Sequence, residues 1–448
     1  MGNWKKLRNE FQLPLPDCGA CTWLEVICIF LLAICPLLQH YKGFFQNAST
    51  VVLIVLFVYF GSRLLCTPNW RFGTILPLIV FSVFETLNHG ISLREVAREA
   101  LLMGYFVAAA SGVINKRLFV RMAVWVSMAA SVLILLQYIC YYILGFHLQL
   151  VITSLLEDGA QQWVKLAETG RISVSGNIMK FYRPSAFFLE PSHLSIYCFP
   201  ALVLVVLSPE FGRRYFPGAI LLSLGILLST SGMGIALVIA IWGVYLLKRL
   251  TGTGDFRTRL KKLRTPKNLK YLGGILLVLL LVYLMVPTVR MSINRIFVGT
   301  DGKKSAIMGR MGTGIQKMLE LRGWEFWFGM KEWGEVAQWN MAGLFYTMYT
   351  QGLVGAVLSY GFYVQCLLQL KNARFWIALV LMGLSLVTVH THAAFFLMFF
   401  VLILLEGFDP EKDRLIWKNI FCDKANMLVD MLRGRLIAIM PVRKRKNR

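Results

Sequence analysis

Acidic residues are scarce in this sequence. Only 23 Asp and Glu stand against 47 Lys and Arg, and charged residues together make up 16% of its 448. A water-soluble domain of this length needs a larger charged surface, so a soluble globular fold is excluded. Neither of the longest polar stretches contains a cysteine, which argues against a disulfide framework. The spacing of the nine cysteines and six histidines leads us to expect no structural metal site. The amino-terminal apolar run is not followed by a small-residue cleavage motif and reads as a retained first span. No internal repeat is visible, which argues against a transporter built from two similar six-span halves.

What the chain has in quantity is apolar length. Hydrophobic residues make up 57% of it and its mean hydropathy is +0.62. A segment of about 20 apolar residues crosses the roughly 30 Å of hydrocarbon in a bilayer. About twelve candidates occur, near 20–39, 50–66, 73–88, 97–114, 119–144, 190–208, 216–230, 232–247, 271–287, 341–369, 375–389 and 393–407. The expectation is an all-α polytopic membrane protein forming one integral domain over 1–448. Glu85 interrupts the third segment, and only Val389-His390-Thr391-His392 separates the last two.

Orientation follows from basic residues, because short loops rich in Lys and Arg stay in the cytoplasm. With twelve spans, one side collects Lys5, Lys6 and Arg8, then Lys116, Arg117 and Arg121, then the loop 248–270 with nine basic residues against Asp255. The basic tail 408–448, with an amphipathic helix expected between Lys412 and Met440, falls on the same side. Both termini are therefore expected to be cytoplasmic. The net charge of +24 suits anionic membrane lipid rather than nucleic acid.

Two long segments, 145–189 and 288–340, are left for extracytoplasmic chemistry. The second holds eight basic residues, Arg290, Arg295, Lys303, Lys304, Arg310, Lys317, Arg322 and Lys331, against five acids, a balance suited to an anionic ligand. The first ends in Arg183-Pro184-Ser185-Ala186-Phe187-Phe188-Leu189-Glu190-Pro191-Ser192 at the mouth of a span. Charged residues there are expensive to hold near lipid and mark a candidate site. Pro191 suits a first helical position, and the free N–H groups beside it favour an anion. Glu190, His193 and Tyr197 fall on one stripe of that helix. Glu190 admits two readings, a functional carboxylate or a helix cap paired with Arg183.

The glycines of Met308-Gly309-Arg310-Met311-Gly312-Thr313-Gly314 could cradle phosphate or form plain loop. Trp324, Trp327, Trp333 and Trp339 could stack on sugars or form an interfacial aromatic belt. Ser229-Thr230-Ser231-Gly232-Met233-Gly234 reads as a tight turn that lets two helices approach closely.

Arg-x6-Glu-Pro-Ser opening a span, Gly309-Arg310 followed by Trp324-Glu325-Phe326-Trp327-Phe328-Gly329, and Asn340 to Tyr346 running on through Gln351-Gly352-Leu353-Val354-Gly355 resemble the Wzy-type bacterial polysaccharide polymerases, relatives of the O-antigen ligases. The likeness covers about 180–370. Where many such chains carry His-Asn, this one has Trp339-Asn340.

The resemblance implies a lipid-linked sugar transferase of GT-C-like class in the bacterial inner membrane. It would polymerise undecaprenyl-diphosphate-linked repeat units, without a cofactor or metal. Donor and acceptor would both be undecaprenyl-diphosphate oligosaccharides, with anionic lipid and a chain-length regulator protein as further partners. Arg183 and Arg310, with Arg171 and Arg322, would neutralise the diphosphate. Glu190, His193, His390 or His392 would assist the acceptor hydroxyl, and Trp324, Trp339 and Tyr197 would meet sugar. An O-antigen-type ligase and a lipid-linked oligosaccharide flippase or transporter are the alternative readings.

Overall fold

The computed structural model describes residues 22–43, 47–67, 70–89, 93–157, 160–161, 169–174, 177–209, 211, 215–251, 306–330, 343–388 and 393–408, with isolated positions between 265 and 294. Their regular elements are helices apart from one β-hairpin. In chain order the helices are α1 (Trp23–Leu38), α2 (Ala48–Cys66), α3 (Leu76–His89), α4 (Leu93–Ala110) and α5 (Lys116–Tyr142). The antiparallel strands β1 (Thr169–Val174) and β2 (Asn177–Tyr182) follow, then α6 (Pro191–Leu207), α7 (Phe216–Leu228) and α8 (Gly232–Thr251). After these come α9 (Ala306–Glu320), α10 (Trp324–Phe328), α11 (Gly343–Gln369), α12 (Asn372–Val387) and α13 (Ala394–Leu405).

Local chemistry sets the helix limits. Thr22, Asn47 and Asn115 accept hydrogen bonds from the third residue onward, which satisfies N–H groups that a helix start leaves open. Gly112, at φ 79°, closes α4 by turning the chain into the left-handed region. Several serine hydroxyls inside the apolar helices are satisfied within their own helix. Ser127 donates to the carbonyl of Ala123, Ser195 to that of Pro191 and Ser223 to that of Ala219, as an environment without water demands.

Four helices, Ala48–Cys66, Lys116–Tyr142, Gly232–Leu250 and Gly343–Gln369, are long and apolar enough to cross a membrane. Six further apolar helices are shorter. At about 1.5 Å per residue, the 13 residues of α7 rise roughly 20 Å, short of the hydrocarbon thickness. Every segment expected to span meets a described helix except 271–287, of which only isolated positions are described.

A small second cluster joins Val151, Leu156 and Ala160, and the main core is one continuous cluster running from Cys28 to Leu405. Helices α6 and α13 are apolar on all sides and sit inside it, with every residue of α13 from Phe395 to Leu405 except Leu397 buried. Helices α2, α5 and α11 turn Val58, Leu136 and Leu368 outward, as lipid-facing helices do. Close approach is achieved with small residues, Gly225 of α7 against Ser131 of α5 and Gly234 of α8 against Ser195 of α6. The Ser229–Gly234 segment is the expected tight turn, with Thr230 at φ 54° and the Ser231 hydroxyl accepting from the Gly234 N–H.

Contacts sort the helix termini into two ends. At one end Arg63 pairs with Glu25 at 3.4 Å, Arg117 with Glu406 at 3.8 Å and Arg374 with Glu406. The Arg71 N–H reaches Ser111 at 2.9 Å and the Gln365 amide reaches Gly73 at 3.3 Å, also at that end. At the other end the turn after α1 joins the 145–189 segment, Glu157 donating to the His40 carbonyl at 3.0 Å and Lys42 to that of Leu155 at 2.7 Å. Asn88 there donates to the Phe328 carbonyl.

Three sequence expectations are revised. The 145–189 segment carries the β1–β2 hairpin, which the mixed polar pattern did not announce. The 288–340 segment contains the helices α9 and α10 rather than loop alone. Helix α11 is broken at Gly352, whose φ of 68° and ψ of −174° interrupt its ladder. The 252–264 part of the basic loop expected to be cytoplasmic and the tail 409–448, with its expected amphipathic helix, lie outside the described residues.

Candidate functional site

The turn from Arg183 to Glu190 sits at the amino end of the buried helix α6, at the end of the bundle that carries the hairpin. Tyr182, the last residue of β2, stacks on Tyr141 of α5 with centroids 4.4 Å apart and receives the edge of His147 at 4.9 Å. Arg183 follows, half-buried, and Pro184 and Ser185 are buried. The Ser185 hydroxyl donates to the Phe188 carbonyl at 2.8 Å, and the Phe188 N–H returns to the Ser185 carbonyl at 2.9 Å.

Ala186 holds φ 52°, a left-handed conformation that costs a residue with a Cβ about 1 kcal/mol. Gln137, a buried amide in the middle of an apolar helix, secures it. Its Oε1 accepts from the Ala186 N–H at 2.9 Å and its Nε2 donates to the Leu148 carbonyl at 3.0 Å. Both ends of one side chain thus bind the two segments that flank the hairpin to α5.

Glu190 is extended and occupies the N-cap position, with Pro191 following at the first helical position as its ring geometry favours. Its side chain makes no capping hydrogen bond. Instead Glu190 Oε2 accepts from the Ser192 hydroxyl at 2.7 Å. The turn therefore presents a half-buried guanidinium and a carboxylate at the positive end of α6, an arrangement that can hold an anion and orient a hydroxyl.

The stripe expected to lead from Glu190 into the site turns into the core. His193 is 5% exposed, lies parallel to His40 with centroids 5.7 Å apart and meets Phe396 of α13 at 5.8 Å. Tyr197 is fully buried, stacks on Phe399 at 4.3 Å and donates its hydroxyl to the Ala33 carbonyl at 2.9 Å. That ring has no open face for a sugar, so the expected role of Tyr197 is replaced by helix packing. Next to His40, burial pushes the Tyr41 phenol up, offset by its hydrogen bond with the Ile152 backbone.

The other expected residues are spread over the same end. Arg171 lies in β1, paired in register with Lys180. Arg310 lies within α9, so the glycines around it are helical and form no phosphate-cradling loop. One turn further on, Gly314 packs against Phe345 of α11. Lys317 of α9 is held by Glu320 at 2.7 Å, which raises its ammonium pKa. Arg322 is exposed just ahead of α10, and Trp324 and Trp327 of that short helix are 77% and 50% exposed. Trp339, His390 and His392 lie outside the described residues.

Two residues were missed, and a third was seen without its partner. Gln137 and His40 are single polar residues in or beside apolar runs, with no motif around them. Glu85 was visible as the acid that interrupts an apolar segment, but its partner, Gln351 of α11, is 266 positions away, with its Nε2 3.1 Å from Glu85 Oε1. Among the described residues no group of three or more His, Cys, Asp or Glu is placed to hold a metal ion. One Cys-x-x-Cys spacing does exist, Cys18 to Cys21, outside the described residues; it would supply two of the four ligands of a structural zinc. No family model and no curated protein matches the chain.

Proposed function

We propose that the chain is a polysaccharide polymerase of the bacterial cytoplasmic membrane, a GT-C-like transferase with about twelve spans and its working end extracytoplasmic. The observation that carries this reading is the Arg183–Glu190 turn, pinned by Gln137 at the start of a buried helix. A guanidinium beside the positive end of a helix suits a diphosphate leaving group. The exposed Arg322, Trp324 and Trp327 at the same end suit the glycan attached to it.

In the proposed reaction, the acceptor hydroxyl of one lipid-linked repeat unit attacks the anomeric carbon of the glycan on a second carrier. The new glycosidic bond forms as the anomeric carbon–phosphate oxygen bond breaks. Undecaprenyl diphosphate leaves with the bonding electrons, and the hydroxyl proton passes to a base, for which Glu190 is the candidate within the turn. No nucleotide sugar is needed, because cleavage of the sugar–diphosphate bond supplies the driving force. A chain-length regulator protein fits as partner.

The test is the lipid-linked and surface glycan of cells lacking this chain. Loss of every length above one repeat unit supports the polymerase. A full ladder stranded on the carrier lipid would instead identify a ligase.

A further inference from the structure

The chain that leaves α5 stays apolar long after the helix has ended. From Met122 to Leu156 there is no Lys, Arg, Asp or Glu. The part of α5 beyond Arg121 rises roughly 30 Å on its own, which is the thickness of the hydrocarbon. Residues 143–156 are therefore free of these charges at the level where a chain leaving the bilayer ordinarily turns polar.

Their exposed side chains continue the outer face of α5. Trp125, Val132, Leu136, Ile139 and Ile143 are all exposed, and helical spacing puts them on one line. Ile143 is 74% and Leu144 61% exposed, and Phe146, Ile152 and Leu155 are about half exposed. Tyr141 and Tyr142, exposed where the helix ends, are residues of the kind that collects at a membrane–water boundary. Nothing polar separates the exposed apolar side chains from Ile139 to Phe146.

Irregular backbone tolerates lipid only where protein satisfies its polar groups. The Leu144 N–H donates to the Ile139 carbonyl at 3.1 Å and the Phe146 N–H to that of Cys140 at 3.0 Å, around a turn made by Gly145 at φ 73°. The Leu148 carbonyl accepts from Gln137, and the Leu155 carbonyl from the Lys42 N–H. Val151 and Leu156 turn inward and pack with Tyr41 and Leu189. Charge returns at the margin. Lys42 is exposed beside Leu155, where a long stem reaches the headgroup layer, and Glu157 ends the run.

We propose that residues 142–155 are seated in the bilayer surface at this end, with Ile143, Leu144, Phe146, Ile152 and Leu155 among phospholipid acyl chains. The occupant is lipid because the patch is one surface with the lipid-facing side of α5. The segment also sets the height of the Arg183 turn. Gln137 ties Leu148 to Ala186 and Tyr141 stacks on Tyr182, which holds Arg183 at the level of the phospholipid headgroups. This placement is independent of the polymerase reading and needs only that the helices cross a membrane.

The experiment uses full-length protein with its native cysteines replaced, carrying one new cysteine at a time labelled with a nitroxide. The protein is embedded in nanodiscs of phosphatidylethanolamine and phosphatidylglycerol. Relaxation of the nitroxide by oxygen, which concentrates in lipid, is compared with relaxation by a nickel chelate, which stays in water. Leu136→Cys, on the outer face of α5, is the lipid reference, and Arg322→Cys is the water reference.

Ile143→Cys, Phe146→Cys and Leu155→Cys should give oxygen-to-nickel ratios close to that of Leu136→Cys and several-fold above that of Arg322→Cys. Arg183→Cys should fall between the two references. Ratios at 143, 146 and 155 as low as at 322 would put the segment in water, and weak relaxation by both reagents would show that protein covers it; either result overturns the proposal. A ratio at 183 as low as at 322 would overturn the height assigned to the turn and leave the segment in the bilayer. Equal ratios at the two references would overturn the membrane frame itself.

Discussion

Gly329 and Gly352 meet across the break in α11. Each has a positive φ, 80° and 68°, and each leaves no room for a Cβ against the backbone of the other's segment. A methyl group at either position faces carbonyl atoms that cannot move aside, in a conformation that L-residues avoid. Gly352→Ala and Gly329→Ala should each cost about 2–4 kcal/mol and lower the melting temperature of the purified protein. Gly243, in the helical run of α8 with nothing near its missing Cβ, provides the contrast. Gly243→Ala should be neutral or stabilising by about 0.5–1 kcal/mol.

The Gln137 clamp makes a prediction about activity rather than amount. Replacing Gln137 by Leu strands the Ala186 N–H and the Leu148 carbonyl and frees a turn held in an unfavourable conformation. Polymer formation per folded molecule should fall by about tenfold or more. Gln137→Glu keeps the acceptor for Ala186 and loses the donor to Leu148, so it should retain more activity than the leucine variant. Equal activity in all three proteins would show that the turn needs no clamp.

The opposite end of the bundle should behave differently. Arg374 is 7% exposed and shares Glu406 with Arg117. Glu406→Gln removes the carboxylate charge beside a buried guanidinium, a change that costs on the order of 3–5 kcal/mol for buried pairs. Thermal stability should drop while the rate per folded molecule stays at the wild-type value. A selective loss of rate would mean that this end takes part in the chemistry.

Orientation can be read from two positions. Cys66 is exposed at the close of α2, near the Arg63–Glu25 pair, and Trp324 is exposed on α10 at the other end. In a background with the other cysteines replaced, an impermeant thiol reagent added to intact cells should label Trp324→Cys and spare Cys66. Labelling of Cys66 alone would invert the topology.

The helices were legible because membrane physics writes them in composition. A chain that must satisfy its backbone without water needs long apolar runs, and α1, α2, α5, α6, α8 and α13 each fall on such a run. The Arg183–Glu190 turn was legible for the complementary reason, since charge at a span's mouth stands out against that background. Gln137, His40 and the Glu85–Gln351 pair were not, because what defines them is proximity between helices far apart in sequence. The break at Gly352 was hidden because 341–369 reads as one continuous span, and only the docking of α10 calls for it. Tyr197 misled because helical spacing identifies a stripe without saying whether the core or a ligand lies against it.

The central claim is tested most directly by turnover of the purified protein on lipid-linked repeat units, with released undecaprenyl diphosphate and glycan length measured together. The account predicts one diphosphate-bearing carrier freed for each linkage formed, none with Arg183→Ala, and only partial activity with Arg183→Lys, whose point charge cannot reproduce the guanidinium fork. Wild-type chain growth by the Arg183→Ala protein, or carrier release without any lengthening of the glycan, would contradict it.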